Sequence, residues 1–68
     1  MKSYSPKQLV ALLLASGFEL VRTKGSHQLY VNSRSGKRTI VPMHGKDLKK
    51  GTLHGILRQA GIDASELD

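Results

Sequence analysis

Between Gly17 and Pro42 the apolar residues of this chain change period, and that switch limits the folds open to it. Phe18 to Arg22, His27 to Val31 and Arg38 to Val41 are short segments rich in aromatic and β-branched residues, as half-buried strands require. Lys24 and Gly25 separate the first pair, and Asn32 to Gly36 the second. Both separators carry turn residues, so consecutive antiparallel pairing into a three-stranded meander is the economical arrangement.

On either side the spacing is helical. Ser5, Pro6, Lys7, Gln8 reads as a helix start, with Ser5 as N-cap, Pro6 at the first helical position and Gln8 completing a capping box. Leu9, Leu12, Leu13 and Ser16 then share one face, and Gly17 marks the stop. Leu53, Ile56, Leu57 and Ala60 recur at i, i+3, i+4 and i+7, with Gly61 as the second stop. Asp63 and Glu66 are spaced to cap one further short turn. The predicted fold is therefore α+β in two layers: a helix, a three-stranded antiparallel sheet, and a helix, with both helices on one sheet face. The 68 residues amount to one domain, residues 1–68.

Ala11, Leu14 and Ala15 point away from the core face of the first helix, and no charge follows Lys7 until Glu19. A helix apolar on both sides either meets a partner or simply leaves small residues at the surface.

The chain has no cysteine, so neither a disulfide framework nor a thiolate metal site is open to it, which suits a cytoplasmic protein. Its longest apolar run, Leu9 to Ala15, falls far short of the roughly 20 residues that span a bilayer, and no membrane association is expected. Of the eleven basic residues eight lie between Lys24 and Arg58, where only one acid, Asp47, accompanies them. Such an excess either forms a solvated face or attracts a polyanion, nucleic acid first.

Lys49 and Lys50 stand at the N-terminal end of the second helix, where the macrodipole disfavours cations, and Gly51 follows them at a further cost in helix propensity. Free N–H groups, neighbouring lysines and a glycine would suit a phosphate, and Lys50, His54 and Arg58 would extend a basic flank. An ordinary solvent-facing flank is the other reading. His27, His44 and His54 are too widely spaced for a zinc site, and the carboxylates are few and concentrated at the C-terminus, so no metal or other cofactor is expected.

RNA allows a metal-free route. Its 2′-hydroxyl is a nucleophile already in the substrate, which needs a base to remove the proton, cations at the phosphate and a strand held in line. Histidine titrates in the right range for that base. His27 is the best placed of the three: Gly25 permits a tight turn, Ser26 offers a hydroxyl and an N–H, and Lys24 supplies a cation. By residue type alone, a lone strand histidine such as His27 is more often a surface or packing residue. Aromatic residues that could stack on bases are limited to Tyr4, Tyr30 and Phe18, with Phe18 assigned to the core.

At "KGSHQLYV", followed by "TIVPMHGKDLKKGTLHGILRQAGI", the chain resembles the HicA family of toxin ribonucleases, the toxin halves of HicA/HicB toxin–antitoxin pairs. The likeness runs from the first helix to Gly61. The resemblance implies a double-stranded-RNA-binding-domain-like fold, an mRNA-cleaving activity that arrests translation, and a HicB-like antitoxin that hides the active residue. The family's essential histidine falls on His27, with Gly25 and Ser26 at their motif positions and His44 matching the histidine after the proline. On this reading His27 is the catalytic base and Gly25, Ser26 and His44 support it, while charge and local placement alone assign Lys24, Lys46, Lys49 and Lys50 as contacts to mRNA phosphates. The alternative is a non-catalytic RNA-binding module of the same fold. Direct DNA binding by this chain is not expected, since no helix-turn-helix pattern appears. The chain departs from its relatives in its short tail after Ile62, which leaves room for no more than a brief third helix.

Overall fold

The computed structural model describes residues 3–67. Its elements are α1 (Pro6–Ala15), β1 (Glu19–Lys24), β2 (His27–Val31), β3 (Arg38–Pro42) and α2 (Lys50–Ala60), followed by a single 3-10 turn, Ala64–Glu66. This is the expected order of helix, three antiparallel strands in the order β1-β2-β3, and helix, the α+β arrangement of double-stranded-RNA-binding-domain-like folds.

Local chemistry sets the helix ends. Ser5 is extended, its side chain accepts from the Gln8 N–H at 3.2 Å, and the Gln8 side chain accepts from the Ser5 N–H at 2.9 Å. Pro6 then occupies the first turn, where a missing N–H costs nothing. At the other end Gly17 takes φ +97°, Gly17 N–H donates to the Leu14 carbonyl and Phe18 N–H to that of Leu13. α2 closes in the same way, with Gly61 at φ +72° and Ile62 N–H donating to the Leu57 carbonyl. In both cases the left-handed glycine turns the chain so that the next residue, Phe18 or Ile62, enters the core. The last capping box also forms: Asp63 accepts from Ser65 N–H, which holds its carboxyl below the usual range, and Glu66 accepts from Asp63 N–H.

Directly opposed residues share a sheet face. The register pairs Gln28 with Val41 and Tyr30 with Thr39, and this face lies beneath the helices. Leu9, Leu13, Val41, Leu53 and Leu57 are its fully enclosed side chains, each contributing roughly 1.5–3 kcal/mol of transfer free energy. Thr39, buried in the same layer, donates to Gln59 Oε1 at 2.7 Å. The extents of 28 × 28 × 17 Å are those of two layers, so among the described residues no layer covers the second sheet face.

One departure from simple alternation decides what that second face carries. β1 pairs Leu20 with Tyr30 but Arg22 with Leu29, because the register slips between Leu20 and Arg22. Val21 is the extra residue of a β-bulge. Strict alternation would place Arg22 and Lys24 on the side of Leu20, towards the helices. The bulge shifts the phase by one residue and turns both cations to the open face.

The strand bounds also differ slightly from expectation. β1 reaches Lys24, so the first connection is the two-residue loop Gly25-Ser26 rather than one beginning at Lys24. Among the described residues no helix is long and apolar enough to cross a membrane.

Candidate active site

His27 opens β2 immediately after that loop, paired with Lys24 across the hairpin. Gly25 has φ +59°, and a Cβ there would meet nothing within 4 Å, so the glycine answers a backbone need and not a shortage of space. Positive φ at the first loop position alone is the pattern of a type II′ turn, whose twist matches that of the flanking strands. The Gly-Ser pair therefore fixes where the strand begins and sends the His27 side chain to the open face.

On its other side His27 is paired with Pro42 of β3. Proline can sit there because the ladder bond is made one residue on, where Met43 N–H donates to the Ser26 carbonyl at 2.6 Å. The alternation of faces thus continues beyond β3: Pro42 outward, half-buried Met43 against the core, His44 outward. The result is an imidazole pair, His27 and His44, with ring centroids 6.3 Å apart and planes at 79°. Both residues are exposed.

Beside His27 lies a depression of about 340 Å³ lined by Arg22, Lys24, His27, Leu29 and Ile40. It continues towards Arg38, Thr39 and Gln59. Its floor is aliphatic, with Ile40 53% exposed, and its ionisable lining is basic, with no carboxylate among these residues. Such a surface offers apolar contact to a flat ring and cations to the phosphates on either side of it.

Of the residues expected to form the site, the structure brings together Lys24, Gly25, Ser26, His27 and His44. Lys46 lies two residues beyond His44, while Lys49 and Lys50 begin α2; all three are exposed. Lys49 is the N-cap of α2 and provides no side-chain capping bond. None of these three lysines lines the depression beside His27. His54, on the same helix, is half-buried. Among the described residues no three His, Cys, Asp or Glu side chains gather as a metal-holding group.

Tyr30 requires a correction. Named as a possible base-stacking residue, it is 3% exposed, belongs to the core, and donates its hydroxyl to Gln28 Oε1 at 2.7 Å. Burial pushes that hydroxyl above its ordinary pKa. Tyr4 is half-buried against the core as well, so stacking on an exposed aromatic ring is not how this site would hold a base.

Arg22, Leu29, Ile40 and Arg38 were not expected to be site residues. Leu29 and Ile40 carry an available signal, since each is one step out of phase with the buried Tyr30 and Val41. Arg22 carries none, because its orientation depends on the bulge.

The fold and site define a small two-layer α+β domain whose uncovered sheet face presents two exposed imidazoles beside a basic, aliphatic-floored depression. The family model described as HicA toxin of bacterial toxin–antitoxin matches residues 6–62, from the first turn of α1 to the residue after Gly61. The chain belongs to the HicA toxin family, and an antitoxin partner follows from that membership. No curated protein matches the chain.

Proposed function

We propose that this toxin is an endoribonuclease that cleaves single-stranded mRNA in the cytoplasm and thereby arrests translation. The carrying observation is the position of His27, an exposed imidazole at the edge of a depression lined by Arg22 and Lys24. His27 acts as general base, taking the proton of the ribose 2′-hydroxyl so that its oxygen attacks the adjacent phosphorus. The P–O5′ bond breaks, leaving a 2′,3′-cyclic phosphate and a 5′-hydroxyl. Lys24 and Arg22 lie close enough to the depression to offset charge on the crowded phosphate. Gly25 and Ser26 set the hairpin that aims His27. Lys46, Lys49 and Lys50 hold the strand further along by phosphate contacts, which supply affinity without sequence information.

The neutralising partner on this reading is a HicB-like protein that covers the open sheet face. The exposed outer side of α1, with Leu14 52% accessible, is a second docking surface for it.

The decisive measurement compares His27→Ala with the parent chain, with folding checked by circular dichroism. Loss of cleavage with retained RNA affinity supports the reading. Retained toxicity with intact RNA favours a non-catalytic RNA-binding module. A 2′-deoxy substitution at the scissile nucleotide should abolish cutting, and cutting at the normal rate would rule out the cyclic-phosphate route.

A further inference from the structure

We propose that His44 is the second proton-transfer group of this site, a general acid that protonates the 5′-oxygen as it leaves phosphorus. This rests on the endoribonuclease reading above and adds a residue and a direction of proton flow to it.

In an in-line displacement the attacking and leaving oxygens lie on opposite sides of phosphorus. Each must come within about 3 Å of the group that exchanges its proton, and the two oxygens are themselves about 3–3.5 Å apart. A base and an acid serving one phosphate therefore stand further apart than a hydrogen bond and no more than about 9 Å apart. The His27 and His44 rings, 6.3 Å apart and edge to face, have the separation that brackets a single phosphate.

The backbone makes this spacing a property of the fold. Each histidine directly follows one partner of the same hydrogen bond, Met43 N–H to the Ser26 carbonyl. Met43 is anchored against the core and Ser26 is held in the two-residue hairpin loop. Moving either backbone position away would break the ladder or withdraw Met43. Both residues are exposed, so a packing role does not account for the pair.

In the proposed step His27 begins neutral and His44 protonated. The 2′-hydroxyl proton passes to His27 as the O2′–P bond forms. The P–O5′ bond breaks, and O5′ takes the proton of His44. The enzyme is left with the two protonation states exchanged, and water restores them between turnovers.

A leaving group that needs no proton tests this directly. The scissile bond is first mapped with the wild-type chain on an mRNA transcript, then rebuilt in a short oligoribonucleotide with either the normal 5′-oxygen or a bridging 5′-sulfur. His44→Ala and His44→Gln should cut the oxygen substrate about 10²–10⁴-fold more slowly than wild type. Both should cut the sulfur substrate at close to the wild-type rate, because a thiolate departs unprotonated. His27→Ala should be slow on both. Wild-type rates on the oxygen substrate for the His44 variants would overturn the proposal, as would equal losses on both substrates. A wild-type chain that cuts no transcript would instead overturn the endoribonuclease reading beneath it.

Discussion

Arg22 faces Leu29 across β1 and β2, although Leu20, two residues earlier in the same strand, faces Tyr30 on the opposite side of the sheet. The bulge at Val21 makes both true. Deleting Val21 should remove the bulge and leave Leu20 opposite Tyr30, Arg22 opposite Leu29 and Lys24 opposite His27 in a regular ladder, with both cations still on the open face. A cooperative thermal transition close to that of the parent chain is the expected result. Its loss, or displacement to much lower temperature, would mean that β1 needs the bulge to pair with β2.

Arg22→Gln leaves the fold intact and removes one cation beside the depression. Affinity for single-stranded RNA should fall, and the slope of log K against log salt should become shallower by roughly one phosphate contact, about 0.7 for a single strand. Fluorescence anisotropy over a salt series measures both quantities.

The hairpin that aims His27 depends on the handedness of Gly25 and not on its size. Replacement by L-Ala should cost on the order of 1–2 kcal/mol, because φ is +59°. An L side chain there meets nothing within 4 Å, so the cost is backbone strain alone, and the D-Ala form, made by chemical synthesis, should relieve it because the backbone preference is reversed. Thermal denaturation of the two epimers separates strain from crowding.

Asn32 ties the end of α1 to the β2–β3 loop. Its Nδ2 donates to the Ser16 carbonyl at the end of α1, and its Oδ1 accepts from the N–H groups of Arg34 and Ser35 in the β2–β3 loop. Asn32→Ala should therefore destabilise the domain by about 1–3 kcal/mol, more than one exposed hydrogen bond would imply. Urea titration is the check.

Alkaline stability should report on Tyr30. Burial raises its pKa, so the folded chain holds the hydroxyl proton more tightly than the unfolded chain does. Its contribution is complete below the ordinary tyrosine value of about 10 and is lost as pH rises through the folded value. Tyr30→Phe should lower stability at neutral pH by about 1 kcal/mol, through the lost bond to Gln28, yet show a flatter decline above about pH 10. Unfolding midpoints measured across that range decide it.

Much of this architecture was legible because its determinants are local. The Ser5–Gln8 capping box, the stops at Gly17 and Gly61, and the short Asp63–Glu66 turn each depend on residues a few positions apart. Lys24, Gly25, Ser26 and His27 fall together for the same reason, although the loop is Gly25-Ser26 and not one beginning at Lys24. Tyr30 was harder to place: an aromatic residue on a sheet of this size can face the helices or the solvent, and only strand phase distinguishes the two.

The sequence by itself determined the elements, the helix ends, the antiparallel order and the presence of a turn just before His27, because these follow from backbone preference and periodicity over short spans. Tertiary structure alone decided that Arg22 and Lys24 share a face with Leu29 and Ile40, and that His44 stands 6.3 Å from His27. Both outcomes depend on which residues sit opposite one another in different strands. A single extra residue in β1, or the continuation of pairing through Met43, changes the facing of each side chain that follows. That count is settled by the packed sheet as a whole, not by any one segment.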